Sequence, residues 1–176
     1  FRNILCLTDT VMFNSYSTTI MKKQPLISVI VASYNYAKYI KETLDSLIRQ
    51  TNKSFEVIVV DDGSRDQSLP IIEEYANRFK NIKLYTHPGN QNRGLAETVK
   101  LGIEKSNGEY IAFCESDDYW TNNHVEYLQD TIQQNPLANF IVNGIKVINL
   151  SNNPEYDSYI EFSSSFLKRH SGSNIF

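Results

Sequence analysis

Cysteine is scarce in this sequence, and it has no long apolar runs. The two cysteines, Cys6 and Cys114, lie far apart and form no metal-binding pair, which favours a reducing compartment over a disulfide scaffold. No apolar run approaches the ~18–20 residues of a membrane-spanning helix. The net charge of −3 leaves no excess of basic residues to neutralise phosphates, which argues against a nucleic-acid-binding protein.

Two common phosphate-binding motifs are absent as well. No G-x-G-x-x-G follows a predicted strand, and no glycine-rich loop ends in Lys-Ser or Lys-Thr. A diphosphate ligand would therefore need another kind of cradle. The sequence contains no internal repeats, and its 176 residues, 41% hydrophobic and 21% charged, fit one globular domain.

The first 24 residues mix apolar and polar types without a period, and we interpret them as an upstream extension outside the domain. We expect the ordered domain to begin at Pro25 and to extend over residues 25–150. The short apolar run after Met21 passes directly into a polar turn, which is typical of a strand rather than of a signal peptide. We therefore expect a cytoplasmic protein.

Strand and helix patterns alternate along the chain. Apolar runs typical of buried strands occupy Leu26–Ala32, Phe55–Val60, Ile82–Tyr85 and Tyr110–Cys114, and Phe140–Leu150 has a further strand pattern. This alternation predicts an α/β sandwich with a mainly parallel central sheet. The residues predicted to face the core from the intervening helices are Ile40, Leu44, Leu47 and Ile48; Leu69, Ile72, Ala76 and Phe79; Leu95, Val99, Gly102 and Ile103; and Val125, Leu128 and Ile132.

Polar groups follow three of the predicted strands. Tyr34 and Asn35 follow the first strand, Asp61 and Asp62 the second, and the acidic segment 115–118 the fourth. Each group alone has a structural explanation, as packing, helix capping or a solvated turn. Ligands of open parallel sheets bind outside the carboxyl ends of the strands, so the coincidence of all three groups at that edge favours a ligand site.

The acidic segment brings together Glu115, Asp117 and Asp118. Three like charges repel, and solvent, a cation or a shift in pKa must offset the repulsion. Hard carboxylate oxygens suit Mg²⁺ or Mn²⁺, and such a cation would let a diphosphate bind beside them. The ring of Tyr34 could stack on a base, and Asp62 could accept a base N–H. These groups together predict a nucleotide-activated substrate.

Several ordered motifs resemble the family 2 glycosyltransferases of GT-A fold. They are Ile27–Asn35, Val57–Ser64, and Gly108–Ile111 leading to Ser116-Asp117-Asp118. The helix and loop 39–51, with the pattern Tyr-Ile-x-Glu-Thr-Leu-x-Ser-Leu-x-x-Gln-Thr, and the segment Asn92–Leu95 match as well. The resemblance runs from Pro25 to about Pro136, which is 112 of the 176 residues.

The resemblance implies an inverting, metal-dependent transferase that moves a sugar from a nucleotide-diphosphate donor to an acceptor hydroxyl. In the family, the residue at Tyr34 packs on the base, the one at Asp62 hydrogen-bonds it, and the acidic motif meets ribose, diphosphate and Mg²⁺ or Mn²⁺. The donor-binding residues implied in this chain are Ala32, Tyr34, Asp61, Asp62, Asn92, Gly94, Ser116 and Asp117, and the implied metal ligands are Asp117, Asp118 and Glu115.

The chain departs from the family pattern at two places. Glu115-Ser116-Asp117 replaces the commoner Asp-x-Asp and keeps its charge, while Val99 and Lys100 stand where an Arg-Asn pair is frequent. The family takes its general base from the acceptor-side half of the domain, so we expect the base beyond Phe176. Residues 151–176 would then begin that half, and the chain alone would bind a donor without transferring its sugar.

The resemblance also implies the partners. A UDP-sugar is the favoured donor, and a glycan or lipid-linked acceptor fits cell-surface polysaccharide assembly with peripheral association at the inner face of the membrane. Two alternatives stay open. One is a non-catalytic nucleotide-sugar-binding module, and the other is a Mg²⁺-dependent phosphatase of haloacid-dehalogenase type. The phosphatase would need an aspartate nucleophile after the first strand, where this chain has Ser33-Tyr34-Asn35.

Overall fold

The computed structural model of the chain describes residues 27–138, 140–142 and 165–168. The strands of this part are β1 (Ile27–Ser33), β2 (Phe55–Asp61), β3 (Ile82–Thr86), β4 (Tyr110–Phe113), β5 (Phe140–Val142) and β6 (Ser165–Lys168), and its helices are α1 (Ile40–Ile48), α2 (Ser68–Arg78), α3 (Leu95–Lys105) and α4 (His124–Gln134). The predicted extension 1–24, the rest of the strand predicted at 140–150, and most of residues 151–176 lie outside the described residues.

The strands form one sheet in the order β3-β2-β1-β4-β6-β5. Strands β1 to β4 are parallel to one another, whereas β6 runs antiparallel to both β4 and β5. In the registered ladders, Ser33 lies beside Asp61 and Ile30 beside Phe113. The predicted α/β sandwich with a mainly parallel sheet is therefore confirmed.

Helices cover both faces of the sheet. Alternate residues of β1 and β2 share one apolar core with α1, α2 and α4, and their intervening residues are buried on the other side. On that second side α3 packs so closely that a Cβ on Gly102 would lie 2.6 Å from Ile30 Cγ2. Burial on both faces explains why ten of the fourteen residues of β1 and β2 are apolar.

Most of the predicted helix faces are confirmed, with two exceptions. Pro70 lies in the first turn of α2, and Pro136 follows the end of α4, as their missing N–H groups require. Leu95 was predicted to face the core, yet 63% of its surface is exposed. Phe79 packs against the core as predicted, but it follows the end of α2 in extended conformation and does not belong to the helix. None of the described helices is long and apolar enough to cross a membrane.

A buried polar network closes the amino-terminal edge of the sheet. Ser28 Oγ donates to Glu56 Oε1 over 2.7 Å, and the Asn107 N–H donates to the same oxygen over 2.6 Å. Lys83 Nζ pairs with Glu56 Oε2 at 2.6 Å, and the Gly108 N–H donates to Ser28 Oγ. Burial alone would raise the pKa of Glu56, but these hydrogen bonds outweigh burial and leave that pKa below its ordinary value.

Candidate functional site

The strand order brings the three polar groups to one edge. Strand β1 lies between β2 and β4, so the segments after these strands are neighbours. Asp61 ends β2 beside Ser33, the last residue of β1. On the other side, the Cys114 N–H donates to the Ile30 carbonyl over 3.0 Å, so β4 ends alongside the middle of β1 and the acidic segment follows at the same edge. The edge therefore carries all three groups that the sequence assigned to it.

The loops that follow β1 and β2 are joined by hydrogen bonds. The Asn35 N–H donates to Ser64 Oγ over 2.9 Å, and the Arg65 N–H donates to Asn35 Oδ1 over 2.8 Å. Asn35 has a φ of +58°, a left-handed conformation that asparagine tolerates better than most residues. Tyr34, next to this junction, stays 41% exposed. The junction thus fixes the backbone beside an aromatic ring that a ligand can reach.

Asp61 is fully buried and organises its own loop. Its carboxylate accepts hydrogen bonds from the Ser64 N–H, over 2.8 Å, and from Ser64 Oγ. Ser64 then accepts the bond from Asn35 described above. Asp61 therefore contributes to the edge indirectly, by fixing the conformation of the loop that follows β2.

Asp62 is buried and binds the segment that precedes α3. Its Oδ1 accepts the Arg93 N–H over 2.6 Å, and its Oδ2 accepts the Gly94 N–H over 2.9 Å. Gly94 is the N-cap residue of α3, so the carboxylate lies near the positive end of the helix dipole, which favours a negative charge. The same segment packs on Gly63, where a Cβ would lie 2.7 Å from the Asn90 carbonyl oxygen. Asp62 therefore clasps this loop to the end of β2.

His87 is a member of the same buried cluster that the sequence analysis missed. Its Nε2 lies 3.0 Å from Thr98 Oγ1 and 3.5 Å from Asp62 Oδ1. Thr98 Oγ1 already donates its one hydrogen to the Gly94 carbonyl, so the histidine Nε2 carries a hydrogen and donates to Thr98. The sequence shows that His87 is the first residue of the polar loop after β3, but this position alone does not indicate which residues it contacts.

The acidic segment forms an exposed tip at the edge. The Asp118 N–H donates to the Glu115 carbonyl over 3.2 Å, which turns the chain. Partial burial raises the pKa of Glu115, and repulsion from Asp117 and Asp118 raises it further. Partial burial and repulsion from Asp117 likewise raise the pKa of Asp118. Within the part of the chain that the structure describes, no Lys, Arg or His forms an ion pair with these carboxylates.

The donor chemistry of this tip fits a divalent cation that shares its coordination sphere with a ligand. Among the described residues, no group of three or more side chains is arranged to hold a metal ion by itself. Mg²⁺ commonly takes one or two carboxylates from a protein and fills its other positions with phosphate oxygens and water. Carboxylates with raised pKa values and no cationic partner suit that role, because a cation would offset their repulsion.

Behind the tip, two aromatic rings close the core. Trp120 is buried, and its ring centroid lies 4.3 Å from that of His124 at the start of α4. His124 Nε2 is buried and finds no hydrogen-bond partner in the described structure. Burial lowers the pKa of His124 to about 4, so the ring stays neutral near pH 7.

The remaining predicted site residues differ in burial. Ala32 is half-buried near the end of β1, Asn92 is exposed in the loop that Asp62 clasps, and Ser116 is buried under the acidic tip. No hydrogen bond or ion pair between described residues joins the Asp61–Asp62 pair to the tip. The structure thus connects Asp62 to Gly94 directly and places the acidic residues at the other side of β1.

Comparison with known proteins gives a consistent assignment. The model of glycosyl transferase family 2 matches residues 28–173. A glycosyltransferase of Haemophilus influenzae is 38% identical over 114 residues, which cover 65% of this chain and 45% of that protein. Glycosyltransferase EpsJ of Bacillus subtilis is 39% identical over 113 residues, which cover 64% of this chain and 32% of EpsJ. The chain spans less than half the length of these relatives.

A solved structure has a similar fold. The structure of S. aureus TarS 1–349 in complex with UDP-GlcNAc matches with a TM-score of 0.65 and 33% sequence identity. The match covers 73% of this chain and 36% of the TarS chain.

Proposed function

This chain belongs to glycosyl transferase family 2 and has the GT-A fold, and we propose that it binds a nucleotide-diphosphate sugar at the carboxyl edge of its sheet. The observation that carries the proposal is the joining of three strand ends into one polar edge. There the exposed ring of Tyr34, the buried carboxylate of Asp62 and the acidic tip flank β1. The sugar would then pass to an acceptor hydroxyl.

On one side of β1, the edge would bind the nucleoside. Tyr34 stacks on the base, and Ala32, Asn92 and Gly94 line its surroundings. Asp61 shapes the loop, and Asp62 accepts a base N–H with a lone pair left by its backbone bonds, since each carboxylate oxygen has two. UDP is the favoured nucleotide, which is consistent with the UDP-GlcNAc complex of the similar TarS domain.

On the other side, one or two carboxylates of the acidic tip, drawn from Asp117, Asp118 and Glu115, would share Mg²⁺ or Mn²⁺ with the diphosphate, and Ser116 would support the ribose end. A bound cation offsets the charge that develops on the leaving nucleoside diphosphate. The acceptor hydroxyl oxygen would bond to the anomeric carbon from the face opposite the diphosphate while the bond between that carbon and the diphosphate oxygen breaks, which inverts the configuration. The hydroxyl proton goes to a general base, which we place in the acceptor-side half beyond Phe176. Such a base typically contributes ~10²–10⁴-fold to the rate, so we expect this chain alone to bind donor without transferring sugar.

The two alternatives receive different support. A phosphatase of haloacid-dehalogenase type requires an aspartate after β1, but Ser33, Tyr34 and Asn35 occupy that position. A non-catalytic binding module would use the same donor edge. An assay of donor turnover by a protein extended through the acceptor-side half distinguishes the two. An enzyme would turn over the donor, and a binding module would not.

Calorimetric titration with UDP, UDP-sugars and GDP-sugars, with Mn²⁺ or with a chelator, tests the proposal. We expect UDP to bind much more tightly with Mn²⁺, and Asp117→Asn to remove most of this metal dependence while the protein stays folded. Tyr34→Ala should cost about 1–3 kcal/mol of nucleotide binding, the range for base–aromatic stacking. Equal UDP affinity with Mn²⁺ and with chelator would refute the metal role, and no binding of any nucleotide would refute the proposed function.

A further inference from the structure

Helix α1 has a polar row of buried residues in addition to its apolar face. Thr43, Ser46 and Gln50 are each about 1% exposed. They are spaced three and four residues apart, which places them on one side of the helix and its immediate continuation. Buried hydroxyl and amide groups are costly unless they find hydrogen-bond partners. The partners of this row therefore reveal what it does.

Every member of the row binds the backbone of the stretch that runs from the acidic segment into the first turn of α4. Thr43 Oγ1 donates to the Ser116 carbonyl over 3.0 Å, and Ser46 Oγ accepts the Trp120 N–H over 3.1 Å. Gln50 donates to the Thr121 carbonyl over 2.7 Å and accepts the Val125 N–H over 2.9 Å. The Thr51 N–H adds a bond of 2.7 Å to the Asn122 carbonyl. We call Thr43, Ser46 and Gln50 the α1 brace.

The brace fixes the acidic tip from both sides. Between Ser116, held by Thr43, and Trp120, held by Ser46, lie the three exposed residues 117–119. Repulsion among the carboxylates favours spreading of this tip, and its one described internal bond, from the Asp118 N–H to the Glu115 carbonyl, is long at 3.2 Å. The hydroxyls of Thr43 and Ser46 lie less than one helical turn apart and hold the two ends of the tip. They therefore resist its spreading.

We propose that Thr43, Ser46 and Gln50 are positioning residues, which hold Asp117 and Asp118 in the orientation that meets the cation and diphosphate of the donor. The inference rests on the proposed function and extends it to residues that touch neither ligand. It also gives a role to the Thr-x-x-Ser-x-x-x-Gln-Thr part of the sequence pattern. Because the brace acts on the diphosphate side of β1, its loss should spare recognition of the base by Tyr34 and Asp62 and weaken recognition of the diphosphate most.

The test compares UDP with Mn²⁺ against uridine alone, by calorimetry, on Thr43→Val, Thr43→Ser and Ser46→Ala. Thr43→Val keeps the shape of the side chain and removes one buried hydrogen bond, so we expect the affinity for UDP with Mn²⁺ to fall about 3- to 10-fold. Ser46→Ala should act likewise, and Thr43→Ser should restore most of the affinity. Uridine, which has no diphosphate, should lose much less affinity than UDP with Mn²⁺ in Thr43→Val and Ser46→Ala.

Ser28→Ala is the matched control, because it removes an equally buried hydroxyl from the opposite edge of the sheet. We expect it to lower stability and leave both affinities unchanged. The inference is overturned if Thr43→Val binds UDP with Mn²⁺ like the unchanged protein, loses uridine affinity equally, or matches Ser28→Ala.

Amide hydrogen exchange provides a readout that needs no ligand. Thr43→Val should speed exchange at Asp118 and Trp120 while exchange in β1 and β2 stays slow. Unchanged protection of these two amides would also overturn the inference. If the unchanged protein binds no UDP, the proposed function fails, and the exchange result then decides by itself whether the brace fixes the tip.

Discussion

Replacing Asp62 by asparagine tests whether this carboxylate clasps the loop before α3. The carboxylate accepts two backbone N–H groups, from Arg93 and Gly94, with one oxygen for each. Asparagine keeps the shape and one accepting oxygen, but its second position is an NH₂ group. That group would face an N–H donor, and His87 Nε2 would lose a negatively charged neighbour at 3.5 Å.

The expected cost follows from the bond that is lost. A hydrogen bond to a charged group contributes about 1.5–3 kcal/mol, and Asp62 is only 4% exposed, so water compensates little. We therefore expect Asp62→Asn to lower the free energy of unfolding by about 2 kcal/mol. The segment before α3 should also open locally, because the two hydrogen bonds from Arg93 and Gly94 to Asp62 tie it to the end of β2.

Urea denaturation measures the global loss, and amide exchange at Gly94 measures the local one. Gln91→Ala is the matched control, since it trims an exposed side chain of the same loop without touching the clasp. Unfolding free energies of Asp62→Asn and the unchanged protein that agree within error would refute the clasp. So would exchange at Gly94 that rises no more than in Gln91→Ala.

Two further predictions concern pH. Glu56→Gln should lower the free energy of unfolding by about 1.5–3 kcal/mol at pH 7. The pKa of Glu56 is lowered in the folded protein, so its stabilisation is present above the ordinary pKa of 4.5 and is lost as the pH falls further. The free energies of unfolding of the variant and the unchanged protein should therefore converge as the pH is lowered. His124 has a pKa of about 4 in the folded protein against an ordinary 6.5, so the unfolded chain binds the extra proton first and stability should fall by roughly 1–2 kcal/mol, after allowance for partial exposure, as pH drops from 6.5 to 4. His124→Phe should flatten that part of the thermal-denaturation profile, and an unchanged slope would contradict the assignment.

The sheet and its helices were predictable because they depend on strong local patterns. Strands buried on both faces read as β-branched runs, and β1 and β2 match their predicted positions to within a residue at each end. Periodicity failed at Leu95 for a physical reason. Thr98 and Gly102, one and two turns later on the same face of α3, are buried, so the first turn of the helix extends past the surface on which it packs.

The candidate site was only partly readable from the sequence. Carboxylates after parallel strands indicate the ligand edge, but the backbone partners of Asp62 depend on how the loop before α3 folds back, which has no residue signature. His87 and the α1 brace were missed for the same reason, since their partners lie far away along the chain or in backbone groups. Strand β6 escaped detection because it is four residues long in a stretch without a clear period.

The position of β6 has a consequence for the order in which the protein matures on the ribosome. Tyr110 of β4 pairs with Lys168, and all three residues of β5 pair with β6. During synthesis, β4 and β5 are therefore made well before β6, which lies between them in the sheet. When the acidic tip is made, β4 is still an unpaired edge strand on that side. Long-range pairing of this kind is slow, and an open strand edge invites pairing with other chains. The parallel part of the sheet needs only the segment from Ile27 to Phe113, while closure beside the site waits for the segment Ser165–Lys168.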